Sequence, residues 1–146
     1  MRIFHYALIP YLPELQFRGQ LRELVAIMHD WRDKGATNHL LINKVMEYPK
    51  NDFVRYFIEY EKEYYARYGK RLDKQWKEFD NFSDDENDNK GKAIFKDWHN
   101  KEYLRVCLGN LYEKHFFGVG KSRISDEEWQ RLLDGYKVIT GEEYEI

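Results

Sequence analysis

Six aromatic residues, Phe53, Tyr56, Phe57, Tyr60, Tyr64 and Tyr68, recur at three- and four-residue steps between Asp52 and Gly69. That spacing puts them on one face of an α-helix, whereas a strand needs a period of two. Asp52 is the expected cap at the start of this helix and Gly69 its stop. The stripe reads as core and groove wall rather than as a platform for stacking bases, because packing alone demands the 3.6-residue period.

Other segments carry the same helical signature. A helix is expected from Pro13, whose missing N–H and fixed φ suit a first helical position, to about Met28. Leu12, Leu15, Leu24, Val25, Ile27 and Met28 supply its apolar stripe. Thr37 or Asn38 can cap a short helix through Val45, with Pro49 as its stop. A further helix is predicted from Lys101 to about Phe117, built on Tyr103, Leu104, Cys107, Leu108, Leu111 and Phe116 and ending at Gly118 or Gly120. Ser125-Asp126-Glu127-Glu128 is a capping box, opening a helix that carries Trp129, Leu132, Leu133 and Tyr136. Asn81 to Gly91, rich in Asp and Asn, reads as a flexible acidic loop. No alternating strand pattern persists. The expected fold class is all-α, a compact single-domain helical bundle spanning 1–146 with long connecting loops.

At 146 residues the chain can bury a core without disulfides or a metal. The single Cys107, flanked by Leu104, Val106, Leu108 and Leu111, is expected to be a reduced core thiol. No apolar run approaches the ~18 residues of a membrane span, and the first residues lack a signal-peptide pattern. No membrane association, a cytoplasmic location and a monomeric state are expected.

The formal net charge is −2, but it is unevenly spread. Six acids and no base lie between Glu78 and Asp88, and the tail adds Glu142, Glu143 and Glu145; the rest of the chain holds 17 acids against 24 bases. A body with that cationic excess can neutralise phosphates. Glycine-rich phosphate loops, HExxH, CxxC and GxSxG are all missing from the sequence. The five histidines, His5, His29, His39, His99 and His115, form no i, i+4 pair that would suggest zinc, so neither a metal nor another cofactor is expected.

Arg22-Glu23 stands on the first long helix, close behind the first residues of the chain. Glu23 lies four residues before Ile27 and next to Leu24, at the edge of the buried stripe. Partial desolvation there raises a carboxylate's pKa and improves it as a proton carrier near neutrality. An arginine and a carboxylate beside a free α-amine suit imine chemistry. An ordinary solvated pair is the plain alternative, because charged side chains are mostly exposed.

Three blocks, taken together and in order, resemble the pyrimidine-dimer DNA glycosylase/AP lyases of the phage endonuclease V type and their bacterial relatives. The first is MRIFHYALIPYLPELQFRGQLRE, Met1 to Glu23; the second runs from Thr37 to Arg71; the third is HNKEYLRVCLGNLYEK, His99 to Lys114. The resemblance implies a DNA repair enzyme that flips a damaged nucleotide out of double-stranded DNA, attacks C1′ with the N-terminal α-amine, forms an imine and cuts the strand by β-elimination. It implies Met1 as nucleophile, Glu23 as the proton-transferring carboxylate and Arg22 as its arginine partner. Arg2, Arg18, Lys44, Arg71 and Lys114 would hold the DNA, aided by Arg67, Lys70 and Lys74. An α-amine suits the attack: with a pKa of roughly 7.7–8.0, about a quarter of it is neutral near physiological pH, against about a thousandth of a lysine. Three departures bear on the DNA groove: Ala26 replaces a phosphate-contacting arginine, the stretch between Glu23 and Asn38 is much shorter than its counterpart, and the tail Gly141 to Ile146 is acidic rather than basic and aromatic. Two other readings are compatible with the residues: the same imine chemistry on another modified base or on abasic sites alone, and a non-catalytic helical module that binds nucleic acid or protein.

Overall fold

The computed structural model describes residues 3–35, 43–83 and 93–145. Among these residues every regular element is helical: α1 (Glu14–Lys34), α2 (Lys50–Tyr68), α3 (Asp73–Phe82), α4 (Lys101–Phe116) and α5 (Asp126–Thr140), with short 3₁₀ turns at Tyr6–Tyr11, Lys44–Glu47 and Gly120–Ser122. The chain is all-α, as its periodicity predicts. It divides into two compact units, one of residues 1–3 and 19–96, the other of residues 4–18 and 97–146. Among the described residues no helix is long and apolar enough to cross a membrane.

In the first unit the aromatic stripe of α2 becomes the core: Phe53, Tyr56, Phe57 and Tyr60 are fully buried. Phe57 stacks flat on Phe79 of α3 at a centroid distance of 4.0 Å, and Trp31 of α1 meets Phe53 at 6.1 Å and Phe82 edge-on at 5.2 Å. Offset and edge-to-face pairs of this kind contribute about 0.5–1.5 kcal/mol each beyond the area they bury. Gly69, in the left-handed conformation at φ 66°, closes α2 as expected.

Several boundaries differ from expectation. Asp52 does not cap α2. Pro49 takes the capping position with its carbonyl, and Asp52 turns inward, where its carboxylate accepts the Phe95 N–H at 3.2 Å. The partner is 43 residues away and overrides the local preference. Helix α1 begins at Glu14, after Pro13, and runs on past Met28 to Lys34, because Trp31 continues the apolar face and the stop is Gly35 at φ 70°. Leu15, expected in the α1 stripe, is 53% exposed. Asn81 and Phe82, expected in the acidic loop, form the last turn of α3, with Phe82 buried. The remainder of that loop, 84–91, lies outside the described residues, as does the part up to residue 42 of the short helix expected from Thr37 or Asn38 through Val45; of its end, Asn43 is helical and a 3₁₀ turn, Lys44–Glu47, follows.

In the second unit the capping box forms as the sequence spells it: Ser125 Oγ accepts the Glu128 N–H at 3.1 Å and Glu128 Oε1 accepts the Ser125 N–H at 3.0 Å. Helix α5 packs on the 3₁₀ turn through Gly135, where a Cβ would stand 2.5 Å from the Tyr11 ring. Cys107 is buried, and its sulfur accepts the His5 N–H at 3.4 Å. His5 and His99 stack at 5.1 Å. Each imidazole receives a backbone N–H through Nδ1, His5 from Ala7 at 3.0 Å and His99 from Tyr6 at 3.1 Å, so both are held neutral on that nitrogen. Burial pulls the His5 imidazole down to about 4 and, with the neighbouring His5 charge, the His99 imidazole to about 2. The acidic tail folds back on its own unit, Glu142 pairing with Lys101 at 2.6 Å and Glu143 with Lys137 at 2.7 Å.

Candidate active site

Arg22 and Glu23 are consecutive on α1, so they leave the helix about 100° apart. Their surroundings differ accordingly. Glu23 is half-buried, between the fully buried Leu24 and the inward-facing Gln20 one turn earlier. Gln20 is the organising residue: its amide donates to the hydroxyl of Tyr56 at 2.5 Å and of Tyr60 at 2.9 Å, tying α1 to α2. Burial pushes the Tyr60 phenol far above its ordinary value; the Gln20 amide and the Arg67 guanidinium act against burial, and the Glu23 carboxylate acts with it. The charges of Glu23 and Arg67 thus both reach the Tyr60 hydroxyl. Arg67 pairs with Glu63 at 3.5 Å, and the two side chains are only 17% and 13% exposed. This ion pair is largely shielded from water, in surroundings where charges interact more strongly than they do in solvent.

Arg22 points instead to an open cavity of about 260 Å³ that it lines with Leu21, Val25, Leu72 and Gln75. Apolar walls with one cation and one amide form a concave surface of the kind that holds a small organic group by shape and orients it by a few polar contacts.

The other predicted residues are described unit by unit. Met1 and Arg2 lie outside the described residues. In the first unit, Lys44 is exposed on its 3₁₀ turn, and Arg71 covers the Tyr65 ring at 4.8 Å and reaches Glu61 at 3.7 Å. In the second, Arg18 pairs with Glu14 at 3.2 Å, and Lys114 is exposed near the end of α4. Phe116, expected in the packing stripe of α4, is 63% exposed. Gln20 and Glu63 were not predicted as part of the site. Gln20 carries one readable signal, a polar residue three and four positions from Glu23 and Leu24 on the buried face. The pairing of His5 with His99 had no local signal at all, because the two are 94 positions apart.

Among the described residues, no group of three or more histidine, cysteine or acidic side chains is gathered in a way that would hold a metal ion.

One helix of the first unit thus carries the exposed Arg22 and the half-buried Glu23, and its Gln20 ties it to two tyrosines of the next. Residues 1–78, more than half of the chain, match the model of the family described as pyrimidine dimer DNA glycosylase. The chain belongs to that family, one of DNA glycosylases that act on damaged DNA. The match takes in Arg18, Arg22, Glu23, Lys44 and Arg71 and ends before Lys114. No curated protein and no solved structure gave a match.

Proposed function

We propose that this protein is a DNA glycosylase with AP lyase activity whose nucleophile is the α-amine of Met1 and whose proton carrier is Glu23. The neutral amine adds to C1′ of a flipped nucleotide, the N-glycosidic bond breaks and the base departs with a proton. The C1′–O4′ bond then opens as O4′ takes up a proton, which leaves an iminium at C1′ that acidifies C2′; Glu23 accepts the C2′ proton, the 3′ phosphate leaves by β-elimination, and water hydrolyses the imine to free the amine. Glu23 suits the part because it is half-buried, so that its carboxylate is shielded without being sealed off. Arg22, at the mouth of the 260 Å³ cavity, would hold the extruded nucleotide or its phosphate. Lys44 and Arg71 in this unit, and Arg18 and Lys114 in the other, supply cations for the backbone, which makes binding salt-dependent.

The observation that carries this reading is the family match across the segment containing Arg22 and Glu23. Borohydride trapping on an abasic oligonucleotide tests it directly. A covalent adduct that maps to Met1 and vanishes when the α-amine is acetylated is expected. Failure to trap, or an adduct on a lysine, would overturn the assignment.

A further inference from the structure

Between Lys114 and Ile124 the chain carries no acid. It leaves α4 in a closed loop. The Ile124 N–H donates to the Lys114 carbonyl at 3.2 Å, His115 Nδ1 donates to the Ile124 carbonyl at 2.9 Å, and Ser122 Oγ donates to the Val119 carbonyl at 3.0 Å. The turn needs Gly118, since a Cβ there would stand 2.1 Å from the Lys114 carbonyl oxygen, and Gly120 takes φ 64°. A loop pinned in this way presents its side chains in one arrangement.

What it presents is apolar. Phe116, Phe117 and Val119 are 63%, 72% and 79% exposed. Phe117 meets Phe116 edge-on at 4.9 Å, and Phe116 stacks on Tyr112 at 5.6 Å, so the exposed pair is buttressed by a ring anchored in α4. Lys114 and Lys121 flank the tip, with Arg123 behind them held by Asp126 at 3.3 Å. Clustered exposed apolar side chains mark an interaction surface, and Lys114, Lys121 and Arg123, against Asp126 as the acid paired with this loop, leave it a cationic excess that favours a polyanion. Aromatic faces on a rigid turn match unstacked bases, which every sequence offers. A membrane surface is more often met by an amphipathic helix than by a pinned turn.

We propose that the Phe116–Phe117–Val119 tip is an aromatic wedge that stacks against bases of the bound DNA and opens their stacking, while Lys114 and Lys121 contact the flanking phosphates. The proposal rests on the DNA-binding part of the reading above and not on the imine chemistry. Such wedges trade unstacking for added contact surface, and glycosylases must unstack a nucleotide before they can act on it.

The test uses the full chain and a duplex with a tetrahydrofuran abasic analogue, which cannot form an imine, next to 2-aminopurine. Wild-type binding should raise the 2-aminopurine fluorescence. Phe117→Ala should weaken binding about five- to hundredfold, and Phe116→Ala/Phe117→Ala should also lose most of the fluorescence gain. Lys121→Ala should lower the slope of log affinity against log salt by about one. Val138→Ala, at an exposed apolar position on α5, should behave as wild type, and unchanged urea midpoints will show that each variant folds. Unchanged affinity and fluorescence in the double variant would overturn the wedge. So would intact DNA binding with loss of self-association or of binding to anionic vesicles, which would assign the tip to a second copy or a membrane. A wild-type protein that traps on natural abasic DNA while the double variant binds normally removes the wedge alone. A wedge effect without any trapping removes the catalytic reading alone.

Discussion

Exchanging Gln20 for leucine keeps the side chain's bulk and removes the amide from which two buried tyrosine hydroxyls accept. A lost partner in a buried network costs roughly 1–3 kcal/mol per group, so Gln20→Leu should lower the urea midpoint, and an unchanged midpoint would contradict the role given to the amide. Glu23→Gln differs in kind. The amide is nearly isosteric and creates no cavity, so the variant should fold, checked by a cooperative urea transition. Strand cleavage at abasic sites should fall about 10²–10⁴-fold, the usual contribution of a positioned proton carrier. Single-turnover gel assays would show it. Cleavage at the wild-type rate would reduce Glu23 to a bystander.

Helix ends show which local rules hold in this chain. Ser125→Ala removes the hydroxyl that receives the Glu128 N–H and should cost α5 about 1 kcal/mol, read as a lower thermal midpoint. Gly135→Ala should cost more, about 1–3 kcal/mol, because the new methyl falls inside the Tyr11 ring and the packing of α5 on the 3₁₀ turn must yield. A midpoint equal to wild type would mean that Tyr11 can swing away freely. The capping box, the Gly69 stop and both ends of α4 were legible because each is written within a few residues. Helix α3 carries little signal in the sequence, since its ten residues bury only Phe79 and Phe82 and its acids resemble the loop that follows. Asp52 departs from its expected capping role for the opposite reason: its carboxylate has a distant partner that no local rule contains. At the site, Arg22-Glu23 could be picked out from neighbours in sequence, whereas the Gln20–Tyr56–Tyr60 link joins two helices and needed the fold.

On the scale of the molecule, stability should depend on pH through two imidazoles. Unfolded, His5 and His99 take up protons near their ordinary value of 6.5; folded, they resist until about 4 and about 2. The unfolded chain therefore binds more protons as pH falls below 6.5, so the stability present above that value is lost progressively towards pH 4, at up to about 1.4 kcal/mol per pH unit for each histidine. Urea titrations between pH 6.5 and 5, above most carboxylate titration, should show this slope in wild type and a shallower one in His99→Asn. Equal slopes would remove the histidines as its cause.

Cys107 is buried, and it is the sole cysteine of the chain. A membrane-impermeant alkylating reagent should reach its sulfur only when the surrounding helices part. The rate at which the native protein gains one label, followed by intact mass at increasing reagent concentration, thus becomes a built-in clock for the opening of that region, read without adding a fluorophore or any foreign residue.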